Sequence, residues 1–386
     1  MTNNKEKKVL NVPNLRFPEF SGEWSSQPLT DFMNFKNGMN PDAKRFGRGT
    51  KFISVMDILN NQYICYDNIR ASVELQDGDI ETYGVDYGDI LFQRSSETLE
   101  DVGRANVYLD SKPAIFGGFV IRGKSKGNYN PLFFRYLLAS PTARKRIIVK
   151  GAGAQHFNIG QDGLSKVSLD IPRLSEQEKI GKLLQCVDAR ITTQNKIIER
   201  YESLIRGIRN GIFGKLRKSI GFNAIVGNVL QYEQPQSYIV EDTEYTKDGT
   251  PVLTANKAFV LGYTSEVAGI YDKGNCIIFD DFTLDCKYVD FPFKVKSSAI
   301  KILTAQSNEL LRYTFEFLKY LDLSTEEHKR HYIAETQNQG FILPSTKTVE
   351  MVSHTFSVLS LRLSSTVQLK NKYEAQKRYL LRQMFI

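Results

Sequence analysis

The longest regular pattern of apolar positions in the chain runs from Ile180 to Ile212. Apolar or aromatic residues recur there at alternating spacings of four and three, which is the heptad seam of a long helix. Ser175 and Glu178 have the spacing of a capping box at the start of such a helix, and Gly214 suits the position just after its end. The seam positions, besides the polar Gln194, are Ile180, Leu184, Val187, Ile191, Ile198, Tyr201, Ile205, Ile208 and Ile212.

The same pattern returns at a constant offset of 172 positions. The matched pairs include Pro172 with Pro344, Arg190 with Arg362, and Phe213 with Phe385. The second seam is more polar, because Thr366, Lys370 and Lys377 interrupt it. Its other positions are Val352, Phe356, Leu359, Leu363, Tyr373, Leu380 and Met384. Two seams in one chain can bury each other, so we predict a helix pair; two unrelated amphipathic helices on separate cores are the alternative.

The segments outside the two helices also repeat the order of their elements. Strand-like runs follow Gly49-Thr50 and Gly249-Thr250, and later apolar strands are expected over 114–121 and 299–303. Helices opening near Asn130-Pro131 and Asn308-Glu309 come next. We therefore divide the chain into a lead-in (1–24), domain 1 (25–171), a central spacer helix (172–217), domain 2 (218–342) and a C-terminal spacer helix (343–386).

This order of domain, helix, domain and helix indicates a tandem repeat. The second helix has to carry the chain back toward the first domain, so the two helices run antiparallel. The predicted fold class is α+β: two tandem α/β domains separated by two long antiparallel coiled-coil helices with a pseudo-two-fold axis. Two similar domains on a spacer suit a two-part DNA site, whose halves recur with the helical turn of the duplex.

Charge and composition narrow the class of protein. The net charge of +8 favours a polyanionic partner, since cations that neutralise phosphates release counterions. No apolar run reaches the roughly 18 residues that span a bilayer, and Met1 to Lys8 precede no apolar signal segment. The four cysteines are dispersed, which is typical of reduced thiols, so we expect a cytoplasmic location.

The candidate DNA contacts are basic, hydroxyl and amide side chains in loops between apolar strands. Arginine and lysine suit guanine and phosphate, while asparagine and glutamine suit adenine. Ordinary solvated loop charges are the alternative for each of them. In domain 1 the candidates are Lys44, Arg45, Arg48, Lys51, Arg94, Ser95, Ser96, Gln155, His156 and Asn158. In domain 2 they are Thr254, Asn256, Lys257, Lys287, Lys329, Arg330 and His331.

Catalytic patterns are weak in this sequence. Asp281, Asp285 and Lys287 have the D…D-x-K order of metal-dependent nucleases, but this pattern is frequent by chance. His328 and His331 have no cysteine partners for a metal, so a basic loop is the preferred interpretation. No dinucleotide-binding, methyltransferase or Walker A motif occurs. We predict no catalytic residue and no metal ligand in this chain.

Taken together, the motifs resemble the specificity subunits of type I restriction–modification systems. The resemblance rests on Leu15-Arg-Phe-Pro-Glu-Phe-x-Gly-x-Trp24, on Ile171-Pro-x-Leu-x-Glu-Gln-Glu-Lys179, and on the alternation of domains with helices. The segment Thr254-Ala-Asn-Lys257 with Leu261-Gly-Tyr263 also resembles one class of target-recognition domain. The second spacer departs from the pattern, because Leu343-Pro-Ser-Thr-Lys-Thr lacks the Glu-Gln-Glu of the first.

The resemblance implies that each target-recognition domain binds one half of a bipartite double-stranded DNA site. It implies spacers that set the gap and dock two methyltransferase (modification) subunits, with restriction/translocase subunits joining through the complex. S-adenosylmethionine, ATP and Mg²⁺ are then expected in the partner subunits and not in this chain. The alternatives are a stand-alone DNA nuclease or methyltransferase, and a structural coiled-coil adaptor.

Overall fold

A computed structural model of the chain describes residues 10–153, 155–254, 259–325 and 329–386. The chain forms two compact units. Unit 1 contains residues 1–194 and 369–386, and unit 2 contains residues 195–368. Each unit therefore combines a mixed α/β segment with a part of both long helices.

Among its described residues, unit 1 has twelve short strands and five short α-helices. Its strands are β1 (Ser25–Pro28), β2 (Met33–Asn37), β3 (Phe46–Ile53), β4 (Ala71–Val73), β5 (Gly84–Val85), β6 (Ile90–Gln93), β7 (Ser95–Ser96), β8 (Ala105–Val107), β9 (Ala114–Phe116), β10 (Val120–Ser125), β11 (Phe157–Asn158) and β12 (Ser168–Ile171). Its short helices are α1 (Val55–Asn60), α2 (Asp79–Tyr83), α3 (Pro131–Ala139), α4 (Pro141–Ile148) and α5 (Gln161–Ser165). The long helix α6 (Leu174–Ser219) begins in unit 1 and ends in unit 2.

Two four-stranded sheets form the body of unit 1. The first has the order β2-β10-β6-β8 and is antiparallel throughout. The second has the order β4-β3-β9-β5, in which β3 and β9 are parallel. The strand predicted over 114–121 is wrong as one element, because Gly117 and Gly118 turn the chain and send β9 and β10 into different sheets.

Unit 2 is smaller. Its strands are β13 (Ala224–Ile225), β14 (Gln231–Glu233), β15 (Thr250–Leu253), β16 (Val260–Thr264), β17 (Cys276–Asp280), β18 (Cys286–Val289), β19 (Lys294–Val295), β20 (Ile300–Thr304) and β21 (Gly340–Phe341). Its helices, besides the end of α6, are α7 (Asn308–Leu321) and the first part of α8 (Thr346–Gln383). The four-stranded sheet β14-β20-β17-β18 is antiparallel, and a second sheet has the order β16-β15-β19.

The two units repeat one topology. The order β14-β20-β17-β18 matches β2-β10-β6-β8, and the parallel pair β15–β19 matches β3–β9. In each unit a helix that packs on the sheet follows: α3 with the Asn130 side chain as its cap, and α7 with the Ser307 side chain as its cap. The predicted fold class, mixed α and β with two long spacer helices, is confirmed.

The ends of α6 differ from the prediction. The helix begins at Leu174, so Ser175 lies inside its first turn and does not cap it. It continues past Gly214 to Ser219, and Gly221, with φ of +71°, is the glycine that follows the end. Gly214 therefore lies within the helix, where no left-handed backbone is needed.

The acidic residue that holds the start of α6 is Glu176 rather than Glu178. The Arg16 guanidinium donates to both Glu176 carboxylate oxygens at 2.8 Å, and the Trp24 indole nitrogen donates at 3.3 Å. The Leu15 amide donates to the Gln383 carbonyl in α8 at 2.9 Å. The lead-in thus ties the start of α6 to the end of α8 within unit 1.

The seam residues lie inward on both helices. In unit 1, Ile180, Leu184, Val187, Leu380 and Met384 are buried in the main core, Ile191 packs against it, and Tyr373 is half-buried. In unit 2, Ile205, Val352 and Phe356 are buried in the core, and Ile208, Ile212, Leu359 and Leu363 pack against it. Ile198 and Tyr201 are half-buried.

One buried carboxylate joins three helices of unit 1. Asp188 on α6 is 5% exposed. Its oxygens accept a hydrogen bond from the Tyr136 hydroxyl at 2.8 Å and pair with Lys377 of α8 at 2.6 Å and Arg135 of α3 at 3.5 Å. Burial raises the pKa of Tyr136 above its usual range, so the phenol keeps the proton that it donates.

Unit 2 has a comparable buried carboxylate, which belongs to helix α7. Glu316 on α7 accepts two hydrogen bonds from Arg209 of α6, at 2.8 and 2.9 Å, and pairs with Arg312 at 3.0 Å. Arg312 also donates to the Phe356 carbonyl and to the Ser360 hydroxyl on α8. Charge thus holds the domain helix against both long helices in this unit as well.

All four cysteines are unpaired thiols. Within the part of the chain that the structure describes, no helix combines the length and the apolar composition needed to cross a bilayer.

We predict that Lys377→Met lowers the free energy of unfolding by about 1–3 kcal/mol, because Asp188 loses its closest cationic partner in a buried setting. Lys370→Met is the matched control, since Lys370 occupies an equivalent seam position but, of the carboxylates in the described residues, pairs with the partly exposed Glu374 alone, at 3.5 Å. The control should change stability by less than about 0.5 kcal/mol. Trp24, the single tryptophan, is buried in unit 1, so its fluorescence during urea unfolding reports on this unit. Equal effects of the two substitutions would contradict the assigned role of Lys377.

Candidate nucleic-acid interface

A pair of two-residue strands gathers two of the predicted polar groups in unit 1. Strands β7 and β11 pair antiparallel, with Ser95 opposite Asn158. The Ser95 hydroxyl hydrogen-bonds the Asn158 side chain, and the Ile159 amide donates to the Arg94 carbonyl at 2.9 Å. Segments 94–96 and 155–158, which are far apart in sequence, therefore lie side by side, with Gln155, His156 and Asn158 exposed.

Arg94 connects these strands to the turn between β9 and β10. Its backbone amide donates to the Phe119 carbonyl at 2.9 Å, and its guanidinium donates to the Gly118 carbonyl at 3.3 Å. Gly118 in turn packs against Asn40 so closely that a Cβ would collide with the Asn40 side chain. Segments 40–48, 94–96, 118–119 and 155–158 thus form one continuous surface, which we name the loop face of unit 1.

The cation cluster predicted over 44–51 is largely engaged inside the protein. Arg45 donates to the Glu74 carbonyl at 2.7 and 2.9 Å and pairs with Asp79. The Lys51 ammonium donates to the Ile69 carbonyl at 2.7 Å. Arg45 thus binds the segment that follows β4 and Lys51 binds the segment that precedes it, and these bonds have to break before either side chain could bind a ligand.

Arg48 and Lys44 are the accessible cations of this cluster. Arg48 pairs with the Glu74 carboxylate at 2.7 Å, but both side chains are more than half exposed, and such pairs contribute at most about 1 kcal/mol. Lys44 is exposed, and among the described residues no carboxylate lies within ion-pair distance of it. Lys44 is therefore the cation of this loop best placed to meet a phosphate.

Apolar residues that the sequence patterns did not single out lie on the loop face and directly beside it. Phe119, Met56 and Phe46 are 67%, 54% and 43% exposed, and they line a cavity of about 370 Å³. Two successive glycines before an aromatic residue, Gly117-Gly118-Phe119, are the sequence feature that could have pointed to it. The other lining residues are Met39, Asn40, Pro41, Phe52, Ser54, Val55, Gly117, Gly118 and Val120.

In unit 2 only part of the predicted set can be located. Thr254 follows β15 and is half-buried, with its amide donating to the Phe259 carbonyl at 3.0 Å. Asn256 and Lys257 lie outside the described residues. Unit 2 also has exposed apolar side chains near β15, where Val260, Tyr263 and Phe291 line one shallow surface with Pro251.

Of the predicted residues 329–331 in unit 2, two lie at the surface and one lies in the core. Lys329 and Arg330 are exposed, whereas His331 is 1% exposed and its imidazole contacts Glu335 at 2.9 Å. The Lys329 ammonium, together with His331, holds the pKa of Glu335 below its usual range. The burial of His331 removes its side chain from the surface, so Lys329 and Arg330 carry the positive charge of this loop.

The D…D-x-K pattern does not form an open metal site. Asp281 is 1% exposed, and its carboxylate accepts the backbone amides of His331 at 3.1 Å and Tyr332 at 2.8 Å. Lys301, also buried, lies 3.5 Å from it. Within the described residues no three His, Cys, Asp or Glu side chains are grouped to hold a metal, and His328 lies outside them. The carboxylate is committed to the fold, so a nuclease is not favoured.

Lys287, the last candidate of unit 2, lies half-buried on β18. It pairs with Asp285 at 3.0 Å, and Lys319 pairs with the same carboxylate at 2.5 Å. Although burial alone would raise the pKa of Asp285, the two ammonium groups hold it below its usual range. Lys287 therefore belongs to a three-charge cluster on the sheet rather than to a free loop.

Comparison with known proteins relates part of the chain to one family. Residues 21–202 match the family model described as "Type I restriction modification DNA specificity domain". The matched segment includes domain 1 and much of the seam of α6. The resemblance to type I specificity subunits that the sequence motifs indicated is confirmed.

The individual relatives agree with this class. The chain is 43% identical over 126 residues to the type I restriction enzyme EcoR124I/EcoR124II specificity subunit of Escherichia coli. It is 25% identical over 202 residues to a protein of Methanocaldococcus jannaschii named as the MjaX specificity subunit. These matches cover 31% and 51% of this chain, and the chain spans 31% and 47% of the relatives' lengths.

The fold is shared over nearly the whole chain. A type I restriction-modification S subunit from M. genitalium superposes with a TM-score of 0.64, covering 97% of this chain and 99% of that one at 13% identity. A second structure, from a study of the assembly of the type I R-M system, gives a TM-score of 0.51 over 93% of this chain at 10% identity.

Proposed function

We propose that the chain is the DNA sequence-specificity subunit of a type I restriction–modification complex. Each unit binds one half of a bipartite double-stranded DNA site through its loops. Helices α6 and α8 set the gap between the half-sites and dock two methyltransferase subunits, through which restriction subunits join. The observation that carries the proposal is the repeat of one sheet topology in both units, together with the exposed cations and exposed apolar side chains of unit 1.

The proposed role is recognition and assembly without catalysis. The partner subunits would bind S-adenosylmethionine, ATP and Mg²⁺, because the sequence has no motif for any of them. The free thiols agree with the cytoplasmic location expected from the sequence, which stays a prediction.

Methylation mapping tests the function directly. We expect the full chain, assembled with modification subunits, to direct adenine methylation to a motif of two short sequences separated by a fixed gap. The chain alone, with S-adenosylmethionine and the same DNA, should leave no methylation and no cleavage. Activity of the chain alone would favour an enzyme, and an assembled complex without sequence preference would favour a structural adaptor.

Lys44→Ala should weaken binding to all DNA sequences alike. If Lys44 contacts one phosphate, its loss reduces the slope of log K against log[salt] by about 0.9. Lys126→Ala is the matched control, because Lys126 is an exposed lysine that follows the opposite end of β10 from Phe119. A titration of binding at several salt concentrations measures both variants. An unchanged slope for Lys44→Ala would remove this residue from the interface.

A heptad inserted into each long helix should widen the gap and leave the half-site sequences unchanged. Positions near Gln194 and Lys370 are matched, because the contacts of Asp188 with Lys377 and of Arg190 with Tyr373 agree with a register that places Ile180 opposite Met384. Seven residues keep the seam in phase and add about 10.5 Å to each helix, or roughly three base pairs of duplex. Methylation mapping reads the gap and the half-sites together. Changed half-sites with an unchanged gap would contradict the role of the helices.

A further inference from the structure

Phe119 is the most exposed aromatic side chain of unit 1 within the described residues. It is 67% exposed, although the burial of a phenylalanine side chain is favourable. Single exposed apolar residues are common, but this one stands beside two others, Phe46 and Met56, around the cavity of about 370 Å³. The grouping is what calls for a physical explanation.

The backbone holds Phe119 in this exposed position. The Val120 amide donates to the Gly117 carbonyl at 2.9 Å, which closes the turn, and the Arg94 amide donates to the Phe119 carbonyl at 2.9 Å. A Cβ at Gly117 would lie 2.7 Å from the Phe52 ring, so the chain packs there as closely as glycine allows. The aromatic ring is therefore presented by a packed turn between two sheets.

The surroundings indicate what this apolar group would meet. The residues that line the cavity include no aspartate and no glutamate. Cations border it, because the Arg94 guanidinium lies on the Gly118 carbonyl and Lys44 is two residues from Phe46. An apolar surface with cations at its border fits a ligand that has a flat apolar part between anionic groups. A nucleotide in DNA has this chemistry.

Resting on the proposed function, we propose that Phe119 determines specificity by packing against a base of the half-site bound by unit 1. Phe46 and Met56 widen the apolar contact, while Arg94 and Lys44 lie where the flanking phosphates pass. In duplex DNA an aromatic side chain can contact a base edge such as the thymine methyl group, and such a contact carries no charge. Phe119 thus contributes affinity that does not depend on counterion release.

The test compares Phe119→Ala with Tyr87→Ala in the full chain assembled with its modification subunits. Tyr87 is 61% exposed but precedes the opposite end of β6 from Arg94, so it is a matched exposed aromatic away from the loop face. We expect Phe119→Ala to weaken binding to the specific duplex about tenfold. Binding to a duplex of unrelated sequence, and the slope of log K against log[salt], should not change. Methylation mapping should show relaxed preference at one position of a single half-site.

Two results would overturn the inference. Equal loss on specific and unrelated duplexes with a smaller salt slope would mean that the turn contacts phosphate, and unchanged binding would mean that Phe119 touches no DNA. Thermal melting checks folding, and Phe119→Leu, which keeps an apolar side chain on the turn, should fall between wild type and Phe119→Ala in specific affinity. A wild-type complex without any sequence preference would instead refute the proposed function itself.

Discussion

The packing of unit 1 depends on how the carboxylate of Asp188, which is buried where α3, α6 and α8 meet, is neutralised. An unpaired buried charge costs several kcal/mol, so the Asp188 carboxylate requires nearby cations and hydrogen-bond donors. Its partners come from α3 and α8, so one charge fixes the domain helix and both long helices together. Lys377, which interrupts the apolar seam in the sequence, is the residue that this charge requires.

Unit 2 has different residues at the positions that match Asp188 and Lys377. At the offset of 172 positions, Asp188 corresponds to Ser360 and Lys377 corresponds to Ile205. Because Ser360 is neutral, no cation is needed opposite it on the other long helix. The residue at that position, Ile205, is apolar and buried. Arg312 still reaches Ser360, and Glu316 balances its charge. The presence of Lys377 in the second seam therefore follows from one exchanged charge.

The motifs that carried the family resemblance are explained in the same way. Glu176 binds Arg16 and Trp24 of the lead-in, and Gln177 accepts the Asn130 amide at 2.9 Å, so both belong to the junction. The second spacer lacks these acids because no comparable lead-in meets it within the described residues. There, the Asn223 side chain donates to the Leu343 carbonyl and accepts from the Leu343 amide at 2.9 and 2.8 Å.

The sequence indicated the features that repeat regularly and missed those that depend on distant partners. Burial follows the heptad, so the long helices and their inward residues could be predicted, whereas helix ends depend on local contacts such as those of Gly221. The charged residues of a loop could be counted from the sequence, but their partners could not be identified. Arg45, for example, binds Glu74 and Asp79, which lie about thirty positions away in the sequence. The exposure of Phe119 and the burial of His331 are likewise set by neighbours from other elements.

The ion pairs and hydrogen bonds that the loop cations already make affect the affinity of the proposed DNA contact. Because Arg45, Arg48 and Lys51 already have acceptors inside unit 1, binding a phosphate exchanges one interaction for another, and the net gain per cation is smaller than for a free lysine. A surface with so few free cations has limited sequence-independent attraction. Discrimination on the loop face then has to come from neutral groups, which include Phe119, Phe46 and the amides of Gln155 and Asn158. A specificity subunit benefits from this balance, since weak general attraction leaves more of the affinity to the correct site.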